Sequence, residues 1–359
     1  MSYAAITGWG KCLPPAVLAN SDFETLMDTT DEWITGRTGI KERRIAAAET
    51  SDMAAVAGRR ALAAAGITPD DVDLVILATC TPDRLVPGAA AMVQEKIGAG
   101  SAGAVDVNAA CSGFIYALVM GTALVRAGSA DRVLVIGAEK LSTWIDLRDR
   151  STAVLFGDGA GAVVLEPSDV PAGLMASELG SDGALADILT VKGSGTEALV
   201  DGTPGDTRIE MEGREVFKRA VTTMGDAAAR VLAAAGLDLA DVDLLVPHQA
   251  NARIIDATAR RLGLGEERVF TNIGSYGNTS AASIPIALTE AVEQGRIAPG
   301  SDIVLVAFGG GLTWAAGLLR WGERIEPVGE SSAMLPSSTE SGMELIRRRQ
   351  RAREASWDG

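Results

Sequence analysis

The chain has 359 residues, 47% hydrophobic and 22% charged, with a formal net charge of −15. Such an acidic excess excludes general binding to nucleic acid or to an anionic membrane surface, so any anionic ligand must be met by a local basic cluster. Three irregularly spaced cysteines (Cys12, Cys80, Cys111) and a single histidine (His248) exclude a disulfide framework and a multi-histidine metal centre. The start, MSYAAITGWGKCLPP, lacks the pattern of a signal peptide, and the near-apolar run 113–125 is too short to span a bilayer. The expectation is a soluble, cytoplasmic protein.

In chain order, the Ala-rich run 53–65 predicts a helix stopped by Gly66. The short β-branched run 74–78 predicts a buried strand. A second Ala-rich helix begins near Cys111, and strands follow at 133–136 and 160–165. The pattern then repeats: a helix at 220–235 stopped by Gly236, a strand at 244–246, a helix from near Ala281, and strands at 303–307 and 313–319.

The repetition is visible in the letters. LAAAGITPDDVDL from Leu62 and LAAAGLDLADVDL from Leu232 agree at nine of thirteen positions, with an offset of 170. A period that long is a duplicated domain, not a solenoid. The predicted class is α/β with both sheet faces covered. Two similar halves, 1–171 and 172–321, each with one sheet, should pack helix against helix about a pseudo-twofold axis. Residues 322–359, turn-rich and then basic, read as a mobile tail.

Three residues stand out. Cys111, in DVNAACSGF, sits where a strand passes into an apolar helix, and a helix N-terminus favours a thiolate. A buried structural cysteine is the competing reading. His248, in VPHQAN, directly follows a buried strand, at the edge where ligands gather in α/β sheets. Asn278, in YGNTSAAS, precedes an apolar helix and by itself reads equally as a cap. The offset maps Cys111 onto Ala281 and His248 onto Ala78, so paired halves would bring all three to one cleft. A thiol, an imidazole and a carboxamide there make acyl transfer plausible on chemistry alone.

The motifs TTDEWITGRTGIKERR, ACSGF, FGDGAGAVVLEP, PHQAN, YGNTSAASIPIAL and AFGGGLTW carry a resemblance. From the N-terminus to Trp321 the chain resembles the β-ketoacyl-ACP synthase III family, the initiating condensing enzymes of fatty-acid biosynthesis. That resemblance implies a thiolase-like αβαβα fold and a homodimer. It implies that Cys111 takes an acyl group from acyl-CoA, and that malonyl-ACP then loses CO2 and attacks it, giving 3-oxoacyl-ACP. His248 and Asn278 would stabilise the enolate, with backbone N–H groups of Cys111 and Gly310 around the acyl-transfer oxyanion. The resemblance places Trp33, Arg37, Arg150, Lys218 and Arg253 at the CoA and carrier-protein mouth, and Val86, Phe156, Met211 and Phe217 around the acyl chain. Val86 would be contributed across the dimer, and its small size suggests a primer longer or more branched than acetyl. No metal or resident cofactor is implied. Cys-His-His synthases are excluded by the single histidine, and thiolases by the absence of a late cysteine. Two alternatives carry the same fold: an acyltransferase of specialised metabolism that does not decarboxylate, and a non-catalytic partner.

Overall fold

The two Ala-rich runs are helices, Thr50–Ala65 and Gly213–Ala235, each stopped by a left-handed glycine: Gly66 at φ 75° and Gly236 at φ 72°. The second starts earlier than its alanines suggest. Its first turns are polar outside, with a Glu215–Arg219 pair at 2.6 Å, and apolar inside at the buried Val216.

The computed structural model describes residues 3–193, 195–201 and 207–357. Its strands in chain order are β1 (Tyr3–Cys12), β2 (Ala16–Ala19), β3 (Glu42–Ile45), β4 (Leu74–Ala78), β5 (Gly103–Val107), β6 (Val133–Lys140), β7 (Asp158–Ser168), β8 (Gly173–Ser181), β9 (Leu189–Lys192), β10 (Arg208–Met211), β11 (Leu244–Pro247), β12 (Asp302–Gly309) and β13 (Thr313–Arg320). The main sheet runs β11-β12-β13-β8-β1-β7-β6-β4-β5. Each half repeats one pattern. β4 and β6 are parallel, as are β11 and β12; antiparallel strands follow in each, β7 then β1 and β13 then β8. Even the edge strand β5 has a counterpart, the isolated parallel bridge Leu245↔Val269.

One expectation is corrected here. Each half carries its own sheet layer, but the two layers are joined at one edge. β1 and β8 meet in parallel at Ala4↔Gly173, so the nine strands are continuous. The join needs glycine, since a Cβ on Gly173 (φ 82°) would lie 1.7 Å from the Ala4 carbonyl oxygen.

Alternate strand residues face opposite layers, as a period of two requires. Ile76, Val135, Val163, Leu244, Val246, Leu305 and Ala315 share one buried cluster with the helices Gly113–Arg126 and Ser283–Glu293. Their neighbours Val75, Leu134 and Val164 face the outer helices Thr50–Ala65 and Ala89–Ile97. Leu245, Val304 and Leu318 face Gly213–Ala235 and Ala252–Arg261. The layers are therefore αβαβα, with the two most apolar helices in the middle.

The segment after Trp321 also departs from expectation. It is packed, not free: Leu345 and Ile346 of the helix Gly342–Trp357 are 0% and 3% exposed. The sequence read as polar because its apolar anchors are few and separated by turn residues.

Candidate active site

Cys111 stands in a 3₁₀ turn, Ala110–Ser112, that leads into the central helix Gly113–Arg126. The turn starts with Ala110 in a left-handed conformation (φ 44°). It is backed by Gly309 at the end of β12, where an added Cβ would lie 2.7 Å from the Cys111 nitrogen. This contact needs glycine and sets Gly310 beside the nucleophile turn. Thr313 Oγ1 ties the two segments together by donating to Ala109 O at 2.8 Å and Gly310 O at 3.1 Å.

His248 follows β11 directly and is 1% exposed. Its backbone N–H donates to Val306 O (2.8 Å), and its Nδ1 lies 2.7 Å from Ser283 Oγ at the start of the second central helix. Ser283 Oγ also receives the Gln249 N–H at 3.3 Å. In the tautomer that accepts the Ser283 hydroxyl proton at Nδ1, the imidazole proton sits on Nε2. Burial pushes the His248 pKa down to about 3, so the ring is a neutral donor at physiological pH.

Asn278 is held by its backbone, its N–H donating to Leu155 O (2.9 Å) and its carbonyl accepting from Gly157 (3.0 Å). Its side-chain oxygen accepts the Ser280 N–H at 2.8 Å. The carboxamide therefore offers the cavity its N–H donors. That pairing crosses between the halves and needs Gly157, whose added Cβ would lie 2.3 Å from Tyr276 O.

All three residues line one cavity of about 1000 Å³. Of the other expected residues, Trp33, Arg37, Phe156, Met211, Phe217, Arg253 and Gly310 line it too. Arg150 sits at its mouth, with its guanidinium 4.5 Å from the Trp33 ring centre, and Arg37 is 5.0 Å from the same ring. Lys218 lies outside the lining on an exposed face of Gly213–Ala235, one turn from Arg214, which does line the cavity. Val86 is 86% exposed and touches no part of the cavity within one chain, because its loop points outward from the N-terminal half.

The electrostatics of Cys111 differ from expectation. Burial pushes its thiol up to about 11; the Ser280 hydroxyl opposes this and Glu139 adds to it. That enclosure works against the thiolate which a helix start favours. Sequence reasoning missed this surrounding group. Glu139, at 0% exposure, accepts from Thr81 Oγ1 (2.6 Å) and from the Cys80 N–H and thiol (3.2 Å each). Burial raises its pKa and that of Cys80. Ser280 could have been found from the repeat, since the offset of 170 places it opposite Ala110. Ser283 and Glu139 had no such signal.

The duplicated αβαβα layers, closed around a cavity with a cysteine at a helix start, define an acyltransferase of the thiolase fold. The comparisons narrow this. Family models described as 3-oxoacyl-[acyl-carrier-protein] synthase III match residues 105–183, and its C-terminal part matches residues 232–321. A Vibrio vulnificus protein named β-ketoacyl-[acyl-carrier-protein] synthase III 2 is 53% identical over 347 residues, covering 96% of this chain and 95% of that relative. A match of that length reaches into the segment after Trp321. A Roseiflexus castenholzii β-ketoacyl-[acyl-carrier-protein] synthase III is 52% identical over 89% of this chain and 98% of its own. The crystal structure of 3-oxoacyl-[acyl-carrier-protein] synthase III from Aquifex aeolicus superposes with a TM-score of 0.84 at 48% identity, covering 89% of this chain and all of that one. The chain belongs to the β-ketoacyl-ACP synthase III family.

Proposed function

We propose that the chain condenses an acyl-CoA primer with malonyl-ACP through an acyl group on Cys111, giving 3-oxoacyl-ACP, CoA and CO2. The observation that carries this reading is the convergence of Cys111, His248 and Asn278, from both halves, on one cavity. Thioester exchange needs a soft nucleophile, and a cysteine sulfur is one. The sulfur attacks the acyl-CoA carbonyl, with backbone N–H groups of Cys111 and Gly310 facing the oxyanion, and CoA leaves as the thiol. Decarboxylation of the malonyl thioester then places negative charge on its carbonyl oxygen. Two neutral donors, His248 Nε2–H and the Asn278 amide, stabilise that charge without having to lose a proton. The enolate carbon attacks the acyl-enzyme and restores the cysteine.

Within the same reading, Trp33 and Arg150 hold the adenine of CoA. Arg37, Arg253 and Lys218 meet phosphates and the acidic carrier protein, and Phe156, Met211 and Phe217 line the route of the acyl chain. The working unit is a cytoplasmic homodimer built on the duplicated halves 1–171 and 172–321. Two features support the dimer. Among the described residues β5 pairs only with β4, and it is exposed along Gly103–Val105; Leu85 and Val86 nearby are 81% and 86% exposed. Sedimentation should report a dimer.

Incubation with malonyl-ACP and a panel of acyl-CoA primers, following CO2 and product mass, tests the reaction. Acylation of Cys111 without CO2 release would favour transfer to another acceptor. No mass gain on Cys111 would favour a non-catalytic partner.

A further inference from the structure

The segment after Trp321 lies outside the chemistry of the cleft, yet it is built into the cleft wall. Arg324 Nη1 donates to Thr7 O (3.0 Å) and Ala65 O (2.8 Å), and the Val328 N–H to Ala64 O (2.9 Å). Ala333 and Leu335 then pack on the outer cluster of the N-terminal half. The final helix, Gly342–Trp357, is capped reciprocally. Ser341 Oγ accepts the Glu344 N–H (3.2 Å), and the Glu344 carboxylate accepts the Ser341 N–H (2.7 Å). Its Leu345 and Ile346 enter the apolar cluster that holds Leu141, Val154, Leu155 and Phe156, all of which line the cavity.

One turn further, Arg349 reaches inward. Its guanidinium donates to Ser142 Oγ and to Ala46 O, and Nη1 is 3.8 Å from Asp158 Oδ2. Asp158 is fully buried. It accepts the Ala46 N–H (2.8 Å), the Ser142 N–H (2.9 Å) and the Ser142 hydroxyl, all neutral donors. Among the described residues Arg349 is its ion-pair partner. A buried carboxylate deprived of its cation is strongly disfavoured, and the loop that holds it must yield. That loop is the turn Leu141–Trp144, and Leu141 and Trp144 face the cavity.

We propose that Arg349 is a positioning residue for the substrate cleft: by pairing with Asp158 and tying Ser142 and Ala46 to the terminal helix, it fixes the Leu141–Trp144 wall against which the thioester substrate lies. The inference rests on reading the cavity as the acyl-CoA site. It makes the extension part of the substrate site rather than an appendage. A structure-only anchor would affect melting and leave substrate affinity alone.

The test uses the full chain with Arg349→Gln, Arg349→Lys and the charge-balanced pair Arg349→Gln with Asp158→Asn. Hydrogen exchange over 141–146 reports the clamp without any substrate, and acyl-CoA kinetics report its consequence. Arg349→Gln should speed exchange there about tenfold and raise the acyl-CoA KM about fivefold, with kcat within twofold. Arg349→Lys, which keeps the charge but cannot bridge Ser142 and Ala46 together, should fall between this and the wild type. The paired variant should recover part of the KM loss, because the stranded carboxylate is gone. Unchanged KM in Arg349→Gln, or faster exchange with KM unmoved, overturns the proposal. If Arg349→Gln does not fold, Arg349→Lys decides alone: a KM equal to the wild type overturns it. A wild-type chain that no acyl-CoA acylates removes the reading of the cavity, and the inference with it, whatever exchange shows.

Discussion

Ala110 and Ser280, 170 residues apart, share the same rare backbone conformation, left-handed at φ 44° and 47°. Each opens a 3₁₀ turn that runs into a central helix. Non-glycine residues pay about 1–2 kcal/mol for this region, and both halves retain it. The next residue is Cys111 in one half and Ala281 in the other, so the turn is built twice and carries a nucleophile once. Each turn is also gripped by a glycine from the opposite half. Gly309 lies against Cys111, and Gly137 against Ala281, where an added Cβ would be 2.2 Å from the carbonyl oxygen. The interlock fixes the nucleophile by backbone contact, independent of side-chain packing.

Gly309→Ala tests that interlock. The new methyl would stand 2.7 Å from the Cys111 nitrogen and 2.9 Å from its Cβ, so the turn must shift. A displacement near 1 Å can cost about 100-fold in rate. Acylation of Cys111, followed by mass spectrometry, should slow by about that factor in a chain that still melts cooperatively. Acylation at the normal rate would show that the turn is held by something else.

Two influences on the Cys111 sulfur oppose each other, and pH separates them. Burial raises its pKa to about 11, whereas a helix start favours the anion. Where burial dominates, the thiolate fraction is small at neutral pH and grows about tenfold per unit. Alkylation of the Cys111 peptide by iodoacetamide should then keep rising from pH 7 to beyond pH 9. A plateau near pH 7 would mean that the helix start dominates.

His248→Ala and Asn278→Ala should divide the reaction. Each removes a donor proposed for the enolate and leaves the sulfur in place. Loss of one such donor typically costs about 10²–10³ in rate. Condensation should fall by that order, while single-turnover acylation by acyl-CoA stays within a few-fold of the wild type. Loss of acylation as well would assign the residue to the first half-reaction.

Much of this arrangement was legible in the letters because it is periodic or duplicated. The strand 74–78 matches its apolar run to the residue, since a β-branched run between turn signals has few other outcomes. The 170-residue offset, with the halves paired, brings Cys111, His248 and Asn278 to one cleft, and all three line one cavity. What stayed hidden depends on contacts between distant segments. The join at Ala4 and Gly173 is one glycine among 41. Ser283 looks like any small residue at a helix start until His248 is placed beside it. The elevated Cys111 pKa comes from enclosure, which local sequence does not encode. The tail read as mobile because Leu345, Ile346 and Arg349 are anchors only for a partner surface the sequence does not display.

Val86 offers a test of primer size. In one chain its side chain is 86% exposed, and a dimer that sets this loop against the partner would put it at the partner's acyl pocket. Val86→Phe should narrow that pocket, lowering kcat/KM for octanoyl-CoA about tenfold or more while sparing acetyl-CoA. Equal effects on both primers would place Val86 outside the pocket, and strong acetyl preference in the wild type would remove the case for a longer primer.

The neutrality of His248 has a consequence for stability. Burial depresses its pKa from the ordinary 6.5 to about 3. Between those values the unfolded chain binds a proton that the folded chain does not. Stability tied to the neutral ring is therefore fully present above about pH 6.5 and is lost as pH falls toward 3, at up to about 1.4 kcal/mol per unit. His248→Gln removes this titration. Between pH 6.5 and 5, above the range where ordinary carboxylates titrate, its urea midpoint should fall less steeply with acid than that of the wild type. Identical slopes would mean that the folded imidazole titrates normally, and a ring charged near neutrality could not serve as the neutral donor that the decarboxylation step requires.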